Sequence, residues 1–297
     1  MNIISIGEVL WDVLGESEHL GGAPFNFAAH LSRLGHCVSF ISAVGADARG
    51  QRVLDSMPGM GLSTRHVRQV DQYPTGTATV TLDAKKQPHF VIGRPAAYDF
   101  PQLSETACRE LLSLPPDWIY FGTLQQMSPT ARQLTSELLN SAGGVRRFYD
   151  LNLRPDSWEP TLVRESLARA TVVKLNDTEV EEVAKMFGQP FANFRDFCRS
   201  YAVKFGWEAV CITRGATGCV LLSGDEYLES PGYPVIVADA VGAGDAFAAA
   251  FVHGLGNGWP PARIADFANR VGALVASRAG AIPSWTIEEA EALPTGR

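Results

Sequence analysis

The amino-acid sequence predicts a three-layer α/β/α sandwich, in which a mostly parallel central sheet lies between two layers of helices. Apolar, β-branched runs of strand length recur along the chain, and segments with helical periodicity separate them. The runs are mainly apolar and do not alternate with polar residues, which is typical of strands buried on both faces. Because 297 residues suffice for one large α/β domain, we expect a single domain over residues 1–297.

The predicted elements alternate along the chain. The strand-like runs cover residues 3–10, 37–44, 118–122, 147–152, 171–176 and 209–215. Helical periodicity appears between or after them, at residues 24–34, 128–142, 177–187 and 260–278. This order of strand and helix favours parallel strands joined by crossover helices.

Residues 75–92 interrupt this alternation. The stretch TGTATVTLDAKKQPHFVI alternates Thr and Val around a Lys-Lys turn, which predicts a half-exposed antiparallel hairpin. Together with residues 11–22, which include the short run WDVLGE, it predicts a small sheet that covers the ligand-binding edge of the main sheet as a lid. An edge hairpin without a ligand is the alternative that the pattern leaves open.

Charge and composition restrict the partners of the chain. The 25 basic and 32 acidic side chains give a net charge of -7, so we expect neither nucleic-acid binding nor attraction to an anionic membrane. The beginning MNIISIGEVL has no basic segment, and no apolar run reaches membrane-spanning length, so we expect a cytoplasmic protein. The five cysteines lie mostly in apolar stretches, which indicates reduced core thiols.

The stretch DAVGAGDAFAAAF places two glycines and an acid where an apolar helix begins. Glycines at 242 and 244 let backbone N–H groups converge on an anion, and the helix dipole adds positive charge there. Asp245 in the first helical turn either compensates that dipole or accepts a proton from a hydroxyl beside a phosphoryl group. A carboxylate suffices for the second role, because the attacking hydroxyl loses its proton late in phosphoryl transfer.

Common nucleotide and hydrolase motifs are missing from the sequence. No G-x-x-x-x-G-K-[ST] occurs, and no G-x-G-x-x-G follows the first strand, which argues against a P-loop enzyme and an NAD-dependent oxidoreductase. The sequence also has neither H-E-x-x-H nor G-x-S-x-G. A kinase of another architecture fits the remaining features.

Two stretches resemble the signatures of the ribokinase-like (PfkB) carbohydrate kinase family. GGAPFNFAAHLSRLG at 21–35, followed by VGADARG at 44–50, resembles the first signature, and DAVGAGDAFAAAF at 239–251 resembles the second. Between them, DLNLRPDSW, KLNDTE and ITRGATG fall where the family keeps its nucleotide-side motifs. The resemblance covers nearly the whole chain and implies a ribokinase-like fold and a sugar kinase.

The resemblance also implies roles for individual residues. Asp245 would be the catalytic base, and the N–H groups of Gly242, Ala243 and Gly244 would stabilise the transferring phosphoryl group. The expected contacts to sugar hydroxyls come from Asp12, Gly22 and Asn26. A helix-start amide is the structural alternative for Asn26. Arg154 is a phosphate or substrate partner in this interpretation, with a surface salt bridge as its alternative.

On the nucleotide side, the resemblance implies ATP and Mg²⁺. Lys174 and Asn176 lie at a strand-to-helix junction with Glu179, which would act on the magnesium through water. Taken alone, the stretch NDTE reads as a capped helix start. The expected nucleotide contacts farther along the chain are Thr213, Gly215, Gly218 and Asn269.

Many family members bind a monovalent cation such as K⁺ beside the backbone N–H groups that bind the phosphoryl anion. The matching positions here are Asp239, Val241, Gly280 and Ser284. The chain departs from the family at Ala240-Val241, where threonines are common, so potassium activation stays an open expectation. Backbone carbonyls at these positions do not depend on the side chains.

The acceptor follows from the DLNLRPDSW stretch, which most resembles fructokinases and 2-keto-3-deoxygluconate kinases. Fructose, phosphorylated at its terminal primary hydroxyl, is therefore the expected acceptor; 2-keto-3-deoxygluconate, another sugar or a nucleoside are the alternatives. An inactive sugar-binding protein would have lost Asp245 or the glycines, and this chain keeps both. Some relatives pair their lids, so a homodimer through the lid is also expected.

Overall fold

The computed structural model describes residues 1–82 and 88–294, with the side chains of 80–90 left aside. Its strands are β1 Asn2–Ile6, β2 Leu10–Leu14, β3 Ser17–Gly21, β4 Cys37–Gly45, β5 Val67–Val70, β6 Gly76–Leu82, β7 Pro88–Ile92, β8 Trp118–Gly122, β9 Arg146–Asp150, β10 Val172–Asn176, β11 Ala209–Thr213, β12 Cys219–Ser223 and β13 Glu226–Ser230. Its helices are α1 Ala23–Arg33, α2 Ala48–Ser56, α3 Glu105–Ser113, α4 Thr123–Gln126, α5 Pro129–Ser141, α6 Pro160–Arg169, α7 Asp177–Phe187, α8 Phe194–Phe205, α9 Ala243–Gly256, α10 Pro261–Ala276 and α11 Ile287–Glu291.

The central sheet has nine strands in the order β13-β12-β11-β10-β9-β8-β1-β4-β5. From β11 to β5 all neighbours are parallel, whereas β12 and β13 extend one edge as antiparallel strands. One buried apolar cluster lies on each face of the sheet, packed by helices. The predicted three-layer α/β/α sandwich with a mostly parallel sheet is confirmed.

A second sheet of four strands lies apart from the first, in the order β3-β2-β6-β7. It contains the predicted hairpin: β6 and β7 are antiparallel, and β2 joins β6 as a parallel neighbour. The Lys-Lys turn falls at 83–87, outside the described residues. We call this four-stranded unit the lid sheet.

The predicted run 3–10 divides into two strands that belong to different sheets. β1 ends at Ile6 and β2 begins at Leu10. Gly7 lies between them, where a Cβ atom would come within 2.0 Å of Pro24 Cγ. Helix α1 therefore packs directly against the backbone at the point where the chain leaves the main sheet. Apolar periodicity alone did not reveal this change of sheet.

The predicted helices are observed as α1, α5, α7 and α10, each within two residues of its expected bounds. Helix α9 is also buried along nearly its full length, as its apolar composition predicts. Of the five free cysteines, three are buried, but Cys37 is exposed. The expectation of core thiols is therefore wrong for Cys37. In the described part of the chain, no helix is long and apolar enough to cross a membrane.

Candidate active site

Several chemically active side chains lie at or just beyond the carboxyl ends of the parallel strands. Asp150 ends β9, Asn176 ends β10 and Thr213 ends β11. Ligands of open α/β sheets bind in the crevice at this edge. Helix α9 contributes Asp245 in its first turn, and the helix begins beside this group, since Lys174 Nζ lies 3.9 Å from where a Cβ atom on Gly244 would be.

The glycine turn, residues 242–244, begins helix α9. Gly242 is its N-cap and has a φ of 78°, in the left-handed region. A Cβ atom at this position would lie 2.4 Å from the Ala281 carbonyl oxygen. Only glycine satisfies both constraints. Gly244 is exposed, while the Ala243 N–H makes a long bond of 3.3 Å to the Ala240 carbonyl.

Asp245 is 9% exposed, and its Oδ2 accepts a hydrogen bond of 2.8 Å from Asn26 Nδ2. Burial raises the pKa of Asp245 from 3.8 to about 6; the Asn26 bond opposes the rise, and the Asp150 carboxylate adds to it. Asp245 is therefore mainly ionised at neutral pH but is a stronger base than an aspartate in water.

Asn26 occupies the fourth residue of helix α1 and faces Asp245 across 219 residues of sequence. The N-cap of this helix is Gly22, so Asn26 does not cap it through its side chain. Its Oδ1 atom is buried and has no hydrogen-bond partner among the described residues. An unpaired buried acceptor beside Asp245 is available to a ligand hydroxyl.

Asp12 and Gly22 approach the same side of the site. Asp12 lies on β2 of the lid sheet. Burial raises its pKa from 3.8 to about 6, and the positive charge of Arg154 opposes this rise. Gly22 has a φ of 110°, and a Cβ atom there would lie 2.6 Å from the Glu8 carbonyl. The Asp12 carboxyl therefore enters from the lid sheet while Gly22 keeps the start of α1 close to the loop after β1.

We call the side of the site that is formed by Asp12, Gly22 and Asn26, where the sugar contacts are expected, the acceptor side. Glu8 also lies there, although no sequence motif indicated it. The residue is 5% exposed, and its Oε2 is without a partner in residues 1–82 and 88–294. Burial raises the pKa of Glu8 from 4.5 to about 7, Arg154 opposes the rise, and Asp245 adds to it. The available signal was a carboxyl group in an otherwise apolar run at the end of β1.

Lys174 and Asp150 form a buried ion pair below the glycine turn. Lys174 Nζ lies 2.8 and 3.1 Å from the two Asp150 carboxylate oxygens, and Tyr120 donates to the same carboxylate at 3.4 Å. Lys174 Nζ lies 3.9 Å from where a Gly244 Cβ atom would be. The predicted cofactor residue Lys174 is thus near the turn, but its charge is shared with Asp150, to which the sequence motifs assigned no role.

Asn176 and Glu179 form a capping box at the start of α7. Asn176 Oδ1 accepts from the Glu179 N–H, and Glu179 Oε2 accepts from the Asn176 N–H, both at 2.8 Å. The other carboxylate oxygen of Glu179 accepts from Leu153 N–H at 2.7 Å. The capped helix start is therefore present, and Glu179 also fixes the DLNLRPDSW loop to this helix.

The loop after β9 carries Arg154. Asn152 in this loop has a φ of 42°, a conformation that asparagine tolerates better than most residues. Arg154 is exposed and forms no ion pair within the part of the chain that the structure describes. Burial raises the pKa of three carboxyl groups, and the Arg154 guanidinium opposes this rise in each of them: Glu8, Asp12 and Asp245. The loop therefore brings Arg154 to the acceptor side.

The remaining predicted nucleotide residues lie around β11 to β13. Thr213 Oγ1 donates to the Leu175 carbonyl, and Gly215 and Gly218 have φ of 54° and 99°. A Cβ atom on Gly218 would lie 2.1 Å from the Ser230 carbonyl. The Asn269 amide donates to Ser230 and Pro231, so its amide nitrogen serves the fold.

The four predicted monovalent-cation residues gather only in part. The Asp239 carboxylate accepts from Val241 N–H at 3.0 Å and from Gly280 N–H at 3.1 Å. The Ser284 carbonyl, in contrast, accepts a hydrogen bond from the Arg278 guanidinium. The Arg278 guanidinium, whose charge is paired with Glu289, would therefore compete with a cation for this carbonyl. In residues 1–82 and 88–294, no three His, Cys, Asp or Glu side chains gather as a metal site.

Comparison with known proteins defines the class of this protein. The model of the pfkB family carbohydrate kinases matches residues 7–288, and the chain belongs to this family. It is a carbohydrate kinase. It is 29% identical to a fructokinase of Escherichia coli, covering 93% of this chain and 94% of the relative. It is 27% identical to a 2-dehydro-3-deoxygalactonokinase of Haloferax volcanii, over 93% and 87%.

Solved structures agree with this fold. A fructokinase of Xylella fastidiosa with bound ATP superimposes with a TM-score of 0.86 at 24% identity, covering 98% of this chain and 97% of that one. A sugar kinase of Pyrococcus horikoshii in complex with ATP gives a TM-score of 0.82 at 26% identity, over 98% and 100%. The ribokinase-like fold expected from the sequence signatures is confirmed.

Proposed function

We propose that the protein transfers the γ-phosphoryl group of ATP to a primary hydroxyl of a sugar, with fructose as the acceptor. The observation that carries the proposal is the buried Asp245 carboxylate, held by Asn26 directly behind the glycine turn of α9. ATP binding by the structural relatives and the fructokinase names among the sequence relatives support it.

Asp245 acts as the base in this proposal. Its pKa of about 6 leaves it ionised at neutral pH and able to orient the acceptor hydroxyl. Because phosphoryl transfer passes through a loose transition state, the hydroxyl becomes acidic only as the bond forms. The carboxylate then receives the proton at Oδ1 or Oδ2, and the Asn26 amide keeps it in position.

The glycine turn supplies the anion site for the same reaction. Gly244 is exposed, and the backbone N–H groups of residues 242–244 lie at the positive end of the α9 dipole. Lys174 adds a positive charge below the turn, although Asp150 neutralises much of it. Preorganised donors of this kind stabilise the charge that develops on a transferring phosphoryl group.

The charges near the turn fit a magnesium ion. Asp150, Glu179 and Asp245 are buried carboxyl groups with Lys174 as their common positive neighbour, so negative charge is in excess. Asn176 and Glu179 would hold Mg²⁺ through water, since each carboxylate oxygen of Glu179 already accepts one N–H group. The ion would neutralise charge on the nucleotide phosphates.

The acceptor side favours a neutral sugar over a sugar acid. Glu8, Asp12 and Asp245 contribute three carboxyl groups, and Arg154 opposes the rise in the pKa of each. A substrate carboxylate would add a further negative charge to this group. Neighbouring hydroxyls, in contrast, can donate to Asp12 and to the unpaired Asn26 Oδ1.

A coupled ADP-release assay tests the acceptor at pH 8 with Mg-ATP and a panel of fructose, ribose, 2-keto-3-deoxygluconate and adenosine. We expect the highest kcat/KM with fructose. Arg154→Gln should change the kcat/KM for fructose by less than about tenfold. If Arg154 instead paired with a carboxylate of the substrate, its loss would lower kcat/KM by about a hundredfold. Arg199→Gln, at an exposed arginine of α8, is the matched control. A higher kcat/KM for the sugar acid would contradict the fructose assignment.

We further propose that the lid sheet closes over the bound sugar and excludes water. Asp12 on β2 would then move with the lid onto the acceptor. The exposed Leu14 and Val91 of this sheet support a homodimer formed through the lid. Leu14→Glu should convert a dimer to a monomer in light scattering, and a wild-type monomer would contradict the dimer.

A further inference from the structure

A segment from Gly280 to Trp285 lies directly behind the glycine turn. The Ala281 backbone is so close to Gly242 that a Cβ atom on Gly242 would lie 2.6 Å from Ala281 Cα and 2.4 Å from its oxygen. Gly280 N–H also bonds to the Asp239 carboxylate. The position of Gly242 therefore depends on where this segment lies.

Helix α1 holds the other side of this segment. His30 Nε2 lies 3.1 Å from the Ala281 carbonyl oxygen, and Trp285 Nε1 donates to His30 Nδ1 at 3.1 Å. Arg33, three residues farther along α1, donates to the Pro283 carbonyl at 2.6 Å. All contacts from His30 are buried, since His30 is 0% and Trp285 4% exposed.

The hydrogen bonds define the tautomer of His30. Because an indole N–H can only donate, Nδ1 must be the unprotonated acceptor, and Nε2 must carry the proton that it donates to Ala281. Burial lowers the pKa of His30 from 6.5 to about 4, although the hydrogen bond to Ala281 acts to raise it. The imidazole is therefore neutral and makes the same two bonds throughout the neutral pH range.

His30 also lies one helical turn from Asn26, on the same face of α1. Asn26 contacts the carboxylate of Asp245, and His30 contacts the segment behind Gly242. One helix thus supports the proposed catalytic base, Asp245, and the glycine turn through two side chains. Helices α1 and α9 also pack against each other in the same buried core.

We propose that His30 and Trp285 are positioning residues for phosphoryl transfer, which hold Ala281 against Gly242 and so fix the amides of the glycine turn. This inference rests on the proposed function of that turn. Neither residue contacts the reacting groups. Their removal should move the amides away from the phosphoryl group, and small displacements of such donors reduce binding and turnover.

Four variants separate positioning from stability. His30→Leu removes both bonds; His30→Gln keeps an N–H group near the Nε2 position, able to donate to Ala281. Trp285→Phe keeps a ring but removes the donor to Nδ1. Trp207→Phe is the matched control, because Trp207 also donates from a buried indole to a carbonyl, that of Leu167 at 3.0 Å, in the opposite core.

The measurements are the affinity for AMP-PNP with Mg²⁺ by calorimetry, kcat and KM for ATP with fructose, and the melting temperature. We expect His30→Leu to weaken AMP-PNP binding and lower kcat/KM for ATP by about tenfold each. His30→Gln should recover both to within about threefold of wild type, and Trp285→Phe should lie between. Trp207→Phe should lower only the melting temperature.

Equal losses in His30→Gln and His30→Leu would overturn the inference, as would a His30→Leu variant that changes only the melting temperature. If His30→Leu does not fold, AMP-PNP affinity and kcat/KM for ATP in His30→Gln and Trp285→Phe still test the positioning role. A wild-type protein that binds AMP-PNP but phosphorylates no sugar would contradict the proposed function alone, because the binding measurements still test the positioning role. Wild type without AMP-PNP binding would overturn both.

Discussion

The two sides of the cleft hold their polar side chains in different ways. On the acceptor side, Glu8 Oε2 and Asn26 Oδ1 are buried and have no partner among the described residues. On the nucleotide side, both oxygens of Glu179 accept backbone N–H groups, and the Asn269 amide donates to residues 230 and 231. Glu8 and Asn26 leave buried acceptor atoms for a ligand, whereas Glu179 and Asn269 use their polar atoms for folding.

The difference indicates how each ligand is recognised. A sugar presents several hydroxyls, which unpaired side-chain atoms can match individually. Phosphates can be bound by backbone N–H groups at a helix start, so the nucleotide side can use its side chains to fix the backbone. Substitutions should therefore impair activity on the acceptor side and stability on the nucleotide side.

The largest effect should come from Asp245→Asn. We expect turnover to fall by about a hundredfold or more, because an amide cannot accept the hydroxyl proton. Affinities for Mg-ATP and sugar should stay within several-fold of wild type, because Asn26 can still donate to the new side-chain oxygen. Steady-state kinetics and calorimetry measure these quantities, and near-normal turnover would falsify the base assignment.

The same variant should be more stable than wild type. Since the folded-state pKa of Asp245 is raised from 3.8 to about 6, the folded protein binds this proton more tightly than the unfolded chain. Ionising Asp245 therefore costs stability as the pH rises through this range, by about 3 kcal/mol at neutral pH. Urea denaturation at pH 7.5 should show the gain, and it should disappear below about pH 4. A less stable variant at pH 7.5 would contradict the raised pKa.

Asn26→Ala should have the next largest effect. Its loss removes the hydrogen bond that lowers the pKa of Asp245, so the acidic limb of kcat/KM should move to higher pH by about one unit. Loss of the Oδ1 acceptor should also raise the KM for the sugar by about tenfold. Ser128→Ala is the control for the loss of a polar side chain outside the cleft, because Ser128 caps the start of helix α5. An unchanged pH profile would remove Asn26 from the site.

Glu179→Gln tests the nucleotide side. A glutamine can accept only one of the two N–H groups that Glu179 binds, so unfolding free energy should fall by about 1–2 kcal/mol. We expect a smaller change in kcat than for Asn26→Ala when Mg²⁺ is saturating. Thr286→Ala, which removes the cap of the short helix α11, gives the cost of a capping group alone. A Glu179→Gln variant that is fully stable but has lost activity would contradict the contrast between the two sides, because Glu179 would then serve activity and not folding.

The smallest effect should be that of potassium. The Arg278 guanidinium, which is paired with Glu289, already donates to the Ser284 carbonyl, so a cation there would have to displace this hydrogen bond. We expect rates in KCl and in tetramethylammonium chloride at equal ionic strength to agree within about twofold. A rate several times higher in KCl would show that the cation site forms despite Arg278.

The sequence predicted the fold well because its central strands are buried on both faces and read as continuous apolar runs. Strands β5, β12 and β13 were not predicted. They lie toward the two edges of the sheet, where burial is partial in β5 and β13 and the apolar pattern is weaker. The lid sheet was predicted from its Thr/Val alternation, but the change of sheet at Gly7 depends on contact with Pro24.

The candidate site was predicted where a short motif fixes the local backbone. Gly242 and Asp245 are of this kind, since the turn and the helix start are encoded within four residues. The pairing of Asp150 with Lys174, the unpaired Glu8 and the His30–Trp285 contact depend on residues far apart in the chain. The contact of Arg278 with the Ser284 carbonyl, six residues farther along the chain, is local, but the motif does not show it either.

A crystal structure of the protein with AMP-PNP, Mg²⁺ and fructose tests the central claim most directly. We expect γ-phosphoryl oxygens within about 2.7–3.1 Å of amide nitrogens in the glycine turn. The Asp245 carboxylate should contact a primary hydroxyl of fructose, and that hydroxyl should lie about 3–3.5 Å from the γ-phosphorus. A γ-phosphate bound away from residues 242–244, with Asp245 still paired only to Asn26, would contradict the account.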